Sequence, residues 1–260
     1  MKKLGLVFGS SGARGVSYIG FIKALEENGI KADFVAGSSM GAVVGGCYAL
    51  GMTGEEMQKE ILSLKFSHIV DLSLRPISKA GVLRSEKLQK KLNCYFEDKR
   101  FCDLQTPFIA VAVDLLTGKE YSFGGEENLT LGVSASSSIP GIFRPIRYKG
   151  MVLTDGGVTC RLPVDQVRSL GAEVVICVDA LGDTRETVDK FNTISVLMRS
   201  YEIMDGIVTG LKGKEHKADL VIKPNLGDMS QYKFKNFEEA ISQGYKSGIE
   251  NIEKIKELIK

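Results

Sequence analysis

An apolar run, Phe34-Val35-Ala36, meets a helix-like run, Ala42 to Leu50, across the five residues Gly37-Ser38-Ser39-Met40-Gly41. Gly-x-Ser-x-Gly between a strand and a helix is a sharp turn that holds its central residue strained with the side chain exposed. Gly37 and Gly41 lack a Cβ, so neighbouring backbone can approach the turn closely. The helix beyond starts beside Ser39, and its free N–H groups and positive dipole end face any anion that forms there. Ser39 is therefore the candidate nucleophile, and Gly37 and Gly41 are the glycines of its elbow. The pattern is common by itself, so the rest of the chain must supply a base and an oxyanion site.

The surrounding chain alternates strands with helices. Leu4 to Phe8 and Ala172 to Val178 read as buried parallel strands, and Phe108 to Val113 is strongly apolar. Hairpins are expected where Thr117-Gly118 leads into Glu120 to Phe123, and around Lys149-Gly150 between Arg147 and Leu153. Leu220 to Lys223 reads as a last strand. Helices are expected over Val16 to Asn28, Ser85 to Phe96, Ile194 to Leu211 and Phe237 to Lys260, and Thr53 with Glu56 has the spacing of a capping box. This alternation predicts an α/β fold with a largely parallel sheet, in one domain over residues 1–260. The last helix carries isoleucines at helical spacing, which suit packing on the sheet better than lying on a membrane.

Composition narrows the chemistry. With 43% hydrophobic and 25% charged residues the chain has an ordinary globular balance, and a net charge of +2 is too small to argue for nucleic acid. The same charge is compatible with transient contact at a membrane surface. Five scattered cysteines without a CxxC pair suit free thiols in a reducing compartment. Two histidines exclude a multi-histidine metal site. The apolar start is too short for a signal peptide, and no stretch reaches the roughly 20 apolar residues of a membrane span. A cytoplasmic protein needing neither metal nor organic cofactor is expected.

Four side chains compete as partners for Ser39. Ser39, Asp179 and His216 stand in the chain order of an α/β-hydrolase triad, yet His216 lies in the charged run Lys212 to Lys217, which reads as a solvated helix end. His68 has no motif around it. Asp155, at the end of a strand and followed by Gly156-Gly157, can be presented into a cleft and act directly if the site is dry. Asp114 opens a hairpin and reads as a turn-capping group. The loop Gly9 to Gly15 leaves a strand and opens a helix, so its backbone N–H groups can serve an oxyanion or a phosphate. It lacks a P-loop ending and the acidic residue of a dinucleotide site.

The glycine loop with Arg14-Gly15, the Ser39 turn, the block Ala135-Ser136-Ser137-Ser138-Ile139-Pro140 and Asp155-Gly156-Gly157 together resemble the bacterial patatin-like phospholipases, in that family's order. Asp114 to Gly118 resembles its hairpin segment, and the resemblance spans roughly residues 4 to 225. It implies a three-layer α/β domain and a serine acyl-ester hydrolase acting on a phospholipid, lysophospholipid or other acyl ester. It further implies a Ser39–Asp155 dyad, with Gly12, Ala13, Arg14 and Gly15 at the oxyanion-loop positions. Ser10 and Ser11 depart from the family's glycines and bring the loop's backbone conformation into question. They are the best support for a rival reading, a non-catalytic acyl- or lipid-binding protein on this scaffold. An acyltransferase or thioesterase is a second rival. Residues 65–84, apolar without period and broken by Pro76, suit either a lid over an acyl groove or two short core helices.

Overall fold

The computed structural model describes residues 1–63, 86–182 and 193–260. The stretch read as lid or core helices lies outside the described residues. Among the described residues eight strands form one sheet: β1 (Leu4–Phe8), β2 (Phe34–Ser38), β3 (Phe108–Asp114), β4 (Glu120–Phe123), β5 (Ile146–Tyr148), β6 (Met151–Asp155), β7 (Val174–Val178) and β8 (Leu220–Ile222). The helices are α1 (Ser17–Glu27), α2 (Met40–Leu50), α3 (Gly54–Ser63), α4 (Glu86–Phe96), α5 (Leu129–Ser136), α6 (Val164–Ser169), α7 (Thr193–Glu215) and α8 (Phe237–Ile259).

Hydrogen-bonded neighbours follow the path β5-β6-β3-β2-β1-β7-β8, and β4 also pairs with β3. β3, β2, β1, β7 and β8 run parallel, and the two hairpins add antiparallel neighbours. β1, β2 and β7 are buried at every residue, as strands covered on both faces must be. One face of the sheet packs Leu6, Phe8 and Val35 under α1 and α2, while the other packs Val7, Ala36 and Val175 under α6. This is the expected three-layer α/β arrangement. The six-residue α6 has no counterpart in the sequence reading, because so short a helix offers too few positions to show a period.

The Thr53–Glu56 capping box is formed: Thr53 N donates to the Glu56 carboxylate at 2.8 Å, and Glu56 N donates to Thr53 Oγ1 at 3.2 Å. The last helix departs from expectation. α8 lies on α1 rather than on the sheet, with Ile241, Ile252 and Ile255 buried. Glycines allow this contact: a Cβ on Gly20 would collide with the Ile241 carbonyl, and one on Gly244 with the Ser17 carbonyl. The backbones touch, so the buried side of α8's apolar stripe packs on α1. No helix among the described residues is long and apolar enough to cross a bilayer.

The decisive feature for the site is the register on β3. β4 pairs with Ala110 to Val113 along one edge. β2 pairs with Phe108 to Val111 and β6 with Ala112 to Asp114, so both share the other edge, end to end. β2 runs parallel to β3 and β6 antiparallel, and they meet where Ser38 faces Val111 and Asp155 faces Ala112. The chain leaves the sheet at this junction on both sides, which sets Ser39 next to Asp155. Gly156 turns the chain away in a space where a Cβ would strike the Val111 carbonyl.

Candidate active site

Ser39 caps α2 with φ 56° and ψ −125°, a conformation that only glycine adopts freely. The elbow glycines are there for space. A Cβ on Gly41 would collide with the Phe8 carbonyl, and one on Gly37 with the Gly41 carbonyl. The Ser-rich block holds the strained residue from the far side. Ser136 Oγ accepts from Ser39 N at 3.1 Å, and Ser137 Oγ donates to Ser39 O at 3.2 Å. The Ser138 carbonyl accepts from Asp155 N at 3.0 Å and from Thr154 Oγ1 at 2.8 Å. One turn thus grips both halves of the site. The sequence marked this block by resemblance, but nothing in it showed which backbone groups the hydroxyls would reach.

Ser39 is 2% exposed and Asp155 1%. Asp155 Oδ1 accepts from Gly157 N at 2.8 Å and lies 3.5 Å from the Ser10 hydroxyl. Oδ2 is buried with no hydrogen-bond partner of ordinary geometry. Burial pushes the Asp155 carboxyl up to about 7, against the lowering pull of the neighbouring Ser39 hydroxyl and the Gly157 amide. The Asp205 carboxylate adds a smaller push in the same direction. A carboxyl that titrates near neutrality is a far better proton acceptor than an exposed aspartate. Hydrogen bonds of this kind are often long in a free enzyme and shorten only around a substrate.

The glycine loop is a 3-10 turn over Gly12–Val16. Gly12 carries its left-handed position, φ 52°, while Ser11, at φ −161°, lies outside that region. Neither Ser10 nor Ser11 stands at a positive φ, so neither position demands glycine on that ground. Ser11 Oγ donates to the Gly9 carbonyl at 3.3 Å and accepts from Tyr18 at 2.9 Å, and Ser10 reaches Asp155. Of the four expected oxyanion positions, at least two amides are already engaged. Ala13 N donates to the Gln231 carbonyl at 2.8 Å and Arg14 N to the Ser11 carbonyl at 3.2 Å. Gly12 N, at the start of the turn, has no acceptor among the described residues. Gly15 serves as a spacer, since a Cβ there would press on Met40 and Ser11. The Arg14 side chain is buried and donates to the carbonyls of Ala180, Gly227 and Met229, so it pins a loop instead of facing a substrate.

The rival partners for Ser39 are occupied elsewhere. His216 is 41% exposed and holds Asp165 at 2.8 Å. Asp179 is buried against Arg161 at 3.4 Å, so the triad order in the sequence is not assembled in space. Asp114 accepts from Val152 N, Leu116 N and Thr117 Oγ1, and the Val152 amide is the main cause that holds its carboxyl below its ordinary value. It is the expected turn-capping group. His68 lies outside the described residues.

From Ser39 and Gly12 an apolar groove of about 180 Å³ runs between Val43, Val44, Met57, Leu92 and Phe143. A strained serine at a strand–helix turn, a buried carboxyl beside it and an apolar groove leading away place the molecule among α/β proteins with a serine-elbow site. Residues 6–168 match the family described as patatin-like phospholipase, and the chain belongs to that family.

Among its relatives is an uncharacterised NTE family protein of Mycobacterium tuberculosis, 37% identical over 182 residues that cover 69% of this chain and 49% of the relative. Patatin-like phospholipase domain-containing protein 6 of Homo sapiens is 33% identical over 193 residues, covering 71% of this chain and 14% of that protein. The lysophospholipase nte1 of Emericella nidulans is 27% identical over 98% of this chain and 18% of its own length. The chain thus spans about half the length of the mycobacterial relative and less of the others. Among solved structures, VipD from Legionella pneumophila superposes with a TM-score of 0.63 at 17% identity, covering 100% of this chain and 67% of that one. ExoU from Pseudomonas aeruginosa, solved with SpcU, gives 0.53 at 12% identity over 97% of this chain and 52% of its own. Both likenesses concern the fold.

Proposed function

We propose that the chain is a serine acyl-ester hydrolase acting on lysophospholipids, phospholipids or related acyl esters, with Ser39 and Asp155 as its dyad. The observation that carries this reading is the end-to-end meeting of β2 and β6 on one edge of β3, which brings a strained serine to a buried carboxyl. The raised pKa of Asp155, the apolar groove and the names of the relatives support it.

In the proposed reaction, ionised Asp155 takes the Ser39 hydroxyl proton as Oγ attacks the ester carbonyl. The Gly12 N–H and the Met40 N–H, the amide after the nucleophile, hold the oxyanion. The alcohol leaves with the proton from Asp155, and water activated by the same carboxylate releases the acid from acyl-Ser39. Residues 1–260 act as one domain in this reading, since strands from Leu4 to Ile222 share a sheet and α8 closes on α1. A cytoplasmic location fits the five unpaired cysteines.

Labelling with a fluorophosphonate followed by peptide mapping tests the nucleophile. The expected product is one phosphonyl group on Ser39, absent from Ser39→Ala. A folded protein that stays unlabelled while holding an acyl chain in its groove would instead be an acyl-binding protein.

His216 has no part in the proposed reaction. His216→Gln should leave ester turnover within about twofold and stability within about 0.5 kcal/mol, as for most surface substitutions. Kinetics and a urea titration check this; a hundredfold loss in a folded variant would restore the triad.

A further inference from the structure

The groove that starts at Ser39 has a polar far end. α3 contributes Glu60 and α4 contributes Tyr95, and the Tyr95 hydroxyl donates to the Glu60 carboxylate at 2.7 Å. Lys91 lies over the Tyr95 ring, 4.6 Å from its centre. Beyond this pair is a second, open hollow of about 460 Å³ bordered by Gly51, Glu56 and Lys59. Met52, Glu60 and Tyr95 line both spaces, so they are the wall between them.

We propose that the Tyr95–Glu60 pair is the floor of the acyl groove and sets the longest acyl chain the site accepts, an inference that rests on the acyl-ester reading above. Along the groove each added methylene leaves water for an apolar wall. That is worth roughly fourfold in binding, the equivalent of about 0.8 kcal/mol. At the floor the gain stops. A longer chain must part a hydroxyl from the carboxylate that satisfies it, and half-buried polar groups left without partners oppose entry. The two helices that carry the pair are joined by residues outside the described set, so the hydrogen bond is a direct tie between α3 and α4.

The test is a series of nitrophenyl esters from C4 to C16 in mixed micelles. For the wild type, kcat/KM should climb with chain length and then break at the length that reaches Tyr95. Tyr95→Ala and Glu60→Ala should move the break to longer chains and raise the C16-to-C4 ratio of kcat/KM by at least about tenfold. Tyr95→Phe keeps the ring and its packing, loses only the tie, and should shift the break less. The same series of free fatty acids is measured in parallel on Ser39→Ala, by displacement of a fluorescent fatty acid. A break in affinity that the floor variants move, together with a wild type that hydrolyses none of the esters, would overturn the hydrolase reading and leave the floor standing. A wild-type series without a break up to C16, a break that folded variants do not move, or fatty acids that do not bind would overturn the floor.

Discussion

Ser39→Ala and Asp155→Asn should each lower kcat for a short nitrophenyl ester by on the order of 10³-fold or more, and the double variant should be little worse than either. Both groups act on one proton, so removing either removes the same event. The fold should survive. The contacts that hold residue 39 run through its backbone, from Ser136 and Ser137, and none needs its hydroxyl. Asn at 155 can still accept from the Gly157 amide. Ser39→Gly adds a contrast, since glycine at φ 56° releases strain on the order of 1–3 kcal/mol. That variant should be as inactive as Ser39→Ala and more stable. Substantial activity in folded Asp155→Asn would remove Asp155 from the mechanism.

The second large effect is in pH. With its carboxyl pushed up to about 7 by burial, Asp155 is protonated in the folded protein at mildly acidic pH and ionised in the unfolded chain. Activity should therefore rise tenfold per pH unit below about 7 and level off above it, because only the carboxylate can take the serine proton. Stability should run the other way. The folded pKa lies above the unfolded value of about 4, so the folded state holds this proton more tightly. The stabilisation is complete below about pH 4 and is lost as the pH rises through 7. Asp155→Asn, with no charge to bury, should accordingly gain stability relative to wild type between pH 4 and pH 8. The differential is on the order of 4 kcal/mol, taking 1.36 kcal/mol for each unit of pKa difference. Urea titrations of both proteins at the two pH values measure it. A difference between the proteins that is the same at both pH values would mean that Asp155 titrates as an ordinary aspartate.

Much of this was legible in the sequence where the signal is local. β1, β2 and β7 are apolar runs bounded by turn residues, the capping box is a matter of spacing three residues apart, and Gly37 and Gly41 mark an elbow because backbone must pass close by. Asp155 before two glycines was likewise visible as a carboxylate on a turn. Such features depend on neighbours a few residues away, and short-range sterics and hydrogen bonding decide them.

Other features were decided only by strands and loops distant in sequence. The chain order Ser39, Asp179, His216 suggested a triad as readily as Asp155 suggested a dyad. The register on β3 brings Asp155 to Ser39, while Asp179 goes to Arg161 and His216 to Asp165. The Gln231 carbonyl takes the Ala13 amide out of the expected oxyanion set, and Ser10, read as a departure, reaches the Asp155 carboxyl. α8 had an apolar stripe that named no partner, and close backbone contact through Gly20 and Gly244 gave it α1. By itself the sequence determined the α/β alternation, the serine elbow and the candidate carboxylates. Only the tertiary structure decided which carboxylate meets the serine, because that depends on which strand ends share one edge of β3, and local residue spacing carries no record of that pairing.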